Sequence, residues 1–315
     1  MAYAVTAPMP DVPESTIALS VVIASHNASA VIAICLGALA AQCRGADVEV
    51  IVADSSTDDT PAIVVREFPW AHLLHVDQPL TVPALRGRGI GTARGRVIAI
   101  LDPYSVAAED WVRQVIAAHA ARPHAVIGGT VGMYRAESRS LAEWTLYFNE
   151  YGLFMPPTIQ GETWIVPGSN VTYKRHVLFD GPVPRYPVFW KTFTNWEVEQ
   201  SRSPLWLEPG IRVDLYKPIP LSHYLGTRYH HGRCFAGMRV AGASVPIRIG
   251  RALTTPLVPM LLLWRWTRGF WPKRSRRMRY LMTMPVQFLL FTVWAWGEAC
   301  GYLRGSARTC ERLFY

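Results

Sequence analysis

The sequence predicts an α/β fold, a mostly parallel sheet flanked by helices, followed by a basic and hydrophobic helical region at the C-terminal end. Three observations carry this. Short β-branched runs alternate with helix-like segments four times between Leu19 and Val131. Each run ends abruptly in polar, Gly or Pro residues. The charge of the chain is divided: residues 1–225 hold 17 Lys/Arg against 21 Asp/Glu, and residues 226–315 hold 15 against 2, giving −4 and +13 of the total +9.

Leu19 to Ala24 is a strand that ends in Ser25-His26-Asn27, and Ser29 to Gln42 reads as a helix capped by Asn27 or Ser29. Val48 to Ala53 is a second buried strand ending at Asp54. In the polar stretch after it, Pro61 marks a helix start, with Asp58 and Asp59 as capping and dipole groups. A third strand, His72 to Val76, leads into Pro83 to Thr92, which carries Arg86 and Arg88. Val97 to Leu101 is five apolar residues, a strand buried on both faces, and it stops at Asp102-Pro103. Glu109 to Ala121 then reads as a helix and Ala125 to Val131 as a strand. Such crossovers are right-handed, so the carboxyl ends of the strands form one rim, where ligands bind in open α/β sheets. Asp54 and Asp102 both come off strand ends onto that rim. No Gly-x-Gly-x-x-Gly follows the first strand and there is no Gly-Lys-Ser/Thr loop, which argues against a dinucleotide or P-loop site. Further on, Leu205 to Leu207 and Ile211 to Val213 read as a hairpin around Glu208-Pro209-Gly210.

The chain of 315 residues is long enough for one large domain and an appendage. The N-terminal residues 1–17 lack a basic segment and an apolar core, so they read as a loose tail rather than a signal peptide. Five cysteines without paired metal spacing predict neither structural disulfides nor a cysteine-ligated zinc, in keeping with a reducing cytoplasm. The basic excess of the last 90 residues comes with five of the twelve Trp and the longest apolar runs, which fits an anionic membrane surface better than nucleic acid. Ala252 to Trp264 is too short to cross a bilayer, and Tyr280 to Gly297 is eighteen residues without a charge. Because the connector between them is rich in Lys/Arg with no acid, two helices lying in the cytoplasmic leaflet are expected, with one full span as the alternative and docking on the domain or another subunit as a third reading.

Four motifs in order, SVVIASHN, a strand ending in DSSTDDT, ALRGRGIGTARGRVIAILDPYS and WIVPGSNVTYKR, resemble family 2 of the inverting glycosyltransferases, over residues 18–235. The resemblance implies a GT-A (Rossmann-like) domain there, with residues 236–315 as the basic, hydrophobic membrane-associated region. It further implies that Ser25 and Asp54 hold the nucleotide base, that Arg86 and Arg233 meet the diphosphate, and that Gly168, Ser169 and Asn170 form the acceptor-side turn. Asp102 matches the first acid of the family's Asp-x-Asp pair and would hold a divalent cation, Mg²⁺ or Mn²⁺. Two positions depart from the pattern. Tyr104 stands where the second acid belongs, and a phenol is a poor magnesium ligand. Lys191 stands where the acceptor's base is expected; Glu197 and Glu199 are the nearest replacements, although Thr194 to Glu197 also reads as a capping box. The expected protein is a membrane-associated inverting glycosyltransferase on the cytoplasmic face of the cell membrane, moving a sugar from a nucleotide diphosphate to a lipid-linked or glycan acceptor. The alternative is a catalytically weak or inactive nucleotide-binding scaffold of the same fold.

Overall fold

The computed structural model describes residues 16–44, 47–201, 203–217 and 220–312. The expected N-terminal tail therefore falls, but for its last two residues, outside the described residues. The first half is built from β1 (Leu19–Ser25), α1 (Ile32–Cys43), β2 (Val48–Asp54), α2 (Thr60–Glu67), β3 (His72–His75), α3 (Val82–Thr92), β4 (Val97–Leu101), β5 (Ser105–Ala107), α4 (Trp111–Ala121) and β6 (Val126–Met133). There follow α5 (Leu141–Tyr151), β7 (Gly161–Thr163), β8 (Asn170–Lys174), α6 (Arg175–Leu178), β9 (Phe179–Asp180), β10 (Val183–Pro184), α7 (Lys191–Gln200) and β11 (Leu205–Leu215). Helices α8 (Leu221–Arg239), α9 (Val245–Thr254), α10 (Val258–Phe270) and α11 (Arg277–Arg304) complete the chain.

The main sheet runs β3-β2-β1-β4-β8-β6-β11-β5, with β7 also on β11. Its first four strands are parallel, as the β-branched runs and crossover helices require. Beyond β4 it becomes mixed, because β8 enters antiparallel between β4 and β6. That insertion sets Asn170 opposite Leu101 and brings the Gly168–Asn170 turn to the rim of Asp102. The expected hairpin over 205–213 is instead one strand, β11, whose register against β6 shifts between Leu207 and Arg212. Glu208-Pro209-Gly210 is absorbed as a bulge because β6 and β7 or β5 supply partners on both sides of the strand. Asp58, one residue before the α2 N-cap Asp59, accepts from Thr60 N at 3.0 Å and Thr60 Oγ1 at 2.5 Å, while the Asp59 side chain makes no cap bond and neither Asn27 nor Ser29 caps α1.

The C-terminal helices are part of the same body. Residue 235, the expected domain boundary, lies inside α8, and α11 packs along α8 and α5. Gly297 and Gly301 let the α8 backbone come close; a Cβ at either would clash with the carbonyl of Tyr229 or Arg233. A buried polar chain ties the three helices together: Tyr224 Oη donates to Asn149 Oδ1 at 3.0 Å, Asn149 Nδ2 to Gln287 Oε1 at 2.9 Å, and Gln287 Nε2 to Thr145 O at 2.9 Å. Among the described residues no helix is long and apolar enough to cross a membrane, so the full-span alternative for Tyr280 to Gly297 finds no support; Gln287, within that stretch, is buried. One expectation about the cysteines is overturned as well. Cys234 on α8 and Cys310 form a disulfide, two cysteines 76 residues apart that no spacing rule would pair.

Asn170 is fully buried, accepting from Trp111 Nε1 at 3.0 Å and donating to Thr130 O and Ile211 O, both at 2.9 Å. Asn170→Ala removes all three bonds, and urea unfolding is expected to show a loss of about 2–4 kcal/mol.

Candidate active site

Strand β1 lies between β2 and β4, and its last residue, Ser25, is in register with Asp54. Asp102 follows Leu101, which pairs with Ile23, so the two acids flank Ser25 on one rim. At about 5 Å per strand spacing, their backbones stand about 10 Å apart. Both side chains are buried, yet among polar groups. Asp54 Oδ1 accepts from Ser56 Oγ at 2.6 Å, and Oδ2 from Ser56 N at 3.0 Å and His75 Nδ1 at 2.8 Å. It therefore shapes the turn after β2. Ser25 Oγ is buried and has no partner among the described residues, a polar atom left for a ligand.

Around Asp102 the chain gathers a charged cluster. Arg86 Nη2, from α3, donates to Asp102 Oδ1 at 2.7 Å, and Tyr104 Oη donates to Oδ2 at 3.0 Å. Burial, then the charge of Asp102, pushes the Tyr104 phenol well above its usual pKa, so it is a neutral donor. Lys217 Nζ lies 5.1 Å from the centre of the Tyr104 ring and pairs with Glu150 at 3.1 Å. Burial works the other way, but Lys217 and Arg228 hold the Glu150 carboxyl below its usual range. Lys191, the first residue of α7, reaches the Gly168 turn: a Cβ on Gly168 would sit 2.6 Å from its Nζ. Burial and then Arg86 pull the Lys191 ammonium down to about 8, while Asp102 and Glu150 act against them. On α8, Tyr224, Arg228 and His231 follow an i, i+4, i+7 spacing that turns them to one face. Burial, then Arg228, lowers His231 to about 3, so the ring is neutral near pH 7.

Other predicted residues lie elsewhere. Ser169 is fully buried beside Gly168, and Asn170 is committed to the sheet, so of the acceptor-side turn Gly168 alone is partly open. Arg233 Nε donates to Gly305 O at 3.3 Å, toward the end of α11; Arg228 is the α8 arginine whose charge reaches Glu150. The capping box expected at Thr194 does not form, because α7 starts at Lys191. Glu197 is consequently on the exposed side of that helix, accepting from Tyr186 Oη at 2.5 Å, and Glu199 is one further turn from Lys191 than the buried Thr194 and Asn195.

This arrangement can be set beside known proteins. The model of "Glycosyl transferase family 2" matches residues 20–179, just over half the chain. The chain belongs to glycosyl transferase family 2. Among relatives, it is 34% identical over 119 residues to validoxylamine A glucosyltransferase of Streptomyces hygroscopicus subsp. limoneus, a match covering 36% of this chain and 26% of that protein. It is 37% identical over 97 residues to the succinoglycan biosynthesis protein ExoO of Rhizobium meliloti, covering 30% and 28%. The matches thus span about a quarter of each relative's length. The fold is also that of S. aureus TarS 1-349 in complex with UDP-GlcNAc, with a TM-score of 0.51, 13% identity and coverage of 94% and 90%. The mannosyltransferase PcManGT from Pyrobaculum calidifontis, in complex with GDP-Man and Mn²⁺, gives a TM-score of 0.50, 16% identity and coverage of 96% and 89%. These place the family 2 domain on a GT-A-like scaffold.

Within family 2 terms, the divalent ion fits this donor set poorly. Each Asp102 oxygen already accepts from a protein donor, Tyr104 is a neutral phenol, and both Glu150 oxygens accept from Lys217. Among the described residues no three His, Cys, Asp or Glu side chains gather to hold a metal. Glu150, Lys217 and Arg228 were not singled out as site residues in the sequence, since they come from α5, the end of β11 and α8. The i, i+4, i+7 pattern on α8 was the one local signal.

Asp102→Asn leaves the buried Arg86 guanidinium without its counter-charge. Chemical denaturation should show a loss of about 3–5 kcal/mol.

Proposed function

We propose that this family 2 chain is an inverting glycosyltransferase whose donor is a nucleotide diphosphate sugar. The observation that carries the reading is the rim itself: an unpartnered buried Ser25 hydroxyl, and Asp102 beside a cluster in which Arg86, Lys191, Lys217 and Arg228 outnumber Asp102 and Glu150. Such an excess of positive charge in a partly buried site suits a diphosphate, and the nucleoside would extend toward Ser25 and the Asp54 turn. UDP-GlcNAc and GDP-Man in the two structural neighbours belong to the same chemical class.

The reaction is a single displacement. A base takes the proton of the acceptor hydroxyl, its oxygen bonds to the anomeric carbon, and the bond from that carbon to the diphosphate oxygen breaks with inversion. The cations stabilise the departing diphosphate as charge develops on it. Glu150 is the second carboxylate of the cluster and serves better as the base than Glu197 or Glu199, which lie farther along α7. With a saturating donor, Glu150→Gln should lower kcat by about 10²- to 10⁴-fold, and donor affinity should fall less than kcat although Lys217 loses its partner. Glu197→Gln and Glu199→Gln should stay within about threefold of wild type, and the anomeric configuration of the product, read by NMR, should be opposite to that of the donor. Tight donor binding without turnover of any sugar would favour the scaffold alternative.

The acceptor would approach from the side of Trp164. A groove of about 460 Å³ is lined by Trp164, Trp264, Arg265 and Arg268 among others, with the Arg265 guanidinium 4.3 Å from the Trp164 ring centre. Next to it, Leu253, Leu257, Met260 and Leu261 are exposed on α9, α10 and the turn between them, and Met278 and Met282 on α11. An apolar surface edged by arginines suits the headgroup region of an anionic membrane on the cytoplasmic face, and a lipid-linked acceptor would reach the groove from there. In flotation assays the protein should bind vesicles containing phosphatidylglycerol and leave pure phosphatidylcholine largely unbound. Leu253→Glu with Leu257→Glu should release it by about tenfold or more, with nucleotide binding kept.

A further inference from the structure

Charge on the diphosphate must be offset by something, and the side chains at this rim differ from a metal-ion site in three respects. The two oxygens of Asp102 are held by Arg86 and Tyr104 at 2.7 and 3.0 Å. The ring of Tyr104, standing at the second acidic position of the family pattern, has the Lys217 ammonium 5.1 Å from its centre. Lys191 projects its ammonium against the Gly168 turn, within the fields of Arg86, Asp102 and Glu150. A divalent ion brought here would compete with a protein donor at every carboxylate oxygen and would face several fixed positive charges. Conversely, Arg86 Nε is buried with no partner among the described residues, a guanidinium donor still available to an anion.

We propose that Arg86, Lys191 and Lys217 clamp the donor's diphosphate directly, so that nucleotide binding by this chain requires no divalent cation. The inference rests on the transferase reading above. Arg86 stays anchored on Asp102 and turns its remaining donors to the phosphates. Lys191 reaches in against the Gly168 turn, where an added side chain would displace its ammonium. Lys217, steadied by Glu150, sits over Tyr104 and supplies the third charge.

Isothermal titration of the full chain, stripped of metal, with UDP, GDP, ADP and dTDP, in EDTA and then in excess Mn²⁺ or Mg²⁺, tests this. The expected result is that the preferred nucleotide binds within about threefold of the same affinity in all conditions. Lys191→Met should weaken it by about tenfold or more at an unchanged melting temperature, and Tyr104→Asp should make binding rise with Mn²⁺ by about tenfold. Wild-type affinity that rises about tenfold or more with either ion overturns the clamp and leaves the transferase reading standing; this arm needs no variant to fold. A folded Lys191→Met protein that binds as wild type overturns it too. No binding of any nucleotide under any condition sinks both.

Discussion

A carboxylate placed on the rim of a buried sheet must be satisfied where it stands, and Asp102 is the group on which this site turns. Burying it costs several kcal/mol unless it is paired and hydrogen-bonded. Arg86 and Tyr104 meet that demand from opposite sides. Because Arg86 comes from α3 and Tyr104 from the turn just past β4, the pairing fixes α3 against the strand end. The Tyr104 ring in turn carries Lys217, which orients Glu150. One buried charge thus sets the positions of a cation, a phenol, a second cation and a second carboxylate.

The second half of that relay depends on the C-terminal helices. Glu150 follows Asn149, which is held by Tyr224 of α8 and Gln287 of α11. A helix with a fully apolar surface could lie in lipid; α11 instead buries Gln287, Thr283 and Glu298 against the domain. Burial of polar groups without partners is costly, so their placement orients α11 with one face on α5 and α8. Its outer face, together with α9 and α10, keeps the exposed apolar side chains. The region that reads in the sequence as an appendage is structurally a wall of the charged cluster, and the Cys234–Cys310 bridge fastens its end to α8.

Family 2 membership and the chemistry of the cluster fit together without the residues that the family pattern leads one to expect at two places. On the sequence resemblance, Tyr104 takes the place of an acid and Lys191 that of another. Each substitution exchanges a negative or metal-binding group for a neutral or positive one, and both changes raise the local positive charge. Two such changes toward the same sign make chemical sense when the ligand carries the diphosphate's negative charge.

Local sequence determined the parallel half of the sheet, the rim and the acids on it. β-branched runs of five to seven residues, bounded by polar turns, specify strands and their ends through backbone sterics and burial, which are short-range effects. Asp54 and Asp102 were legible for that reason, whereas Ser25 and Arg86 were picked out by the family resemblance. Tertiary structure alone decided that β8 enters antiparallel, that 205–215 is one bulged strand, that Cys234 meets Cys310, and that Glu150, Lys191, Lys217 and Arg228 converge on Asp102. Those residues are separated by tens of positions and sit in helices whose own periodicity says which face is buried, not what it is buried against. Only packing supplies the second surface, and with it the charge that each side chain feels.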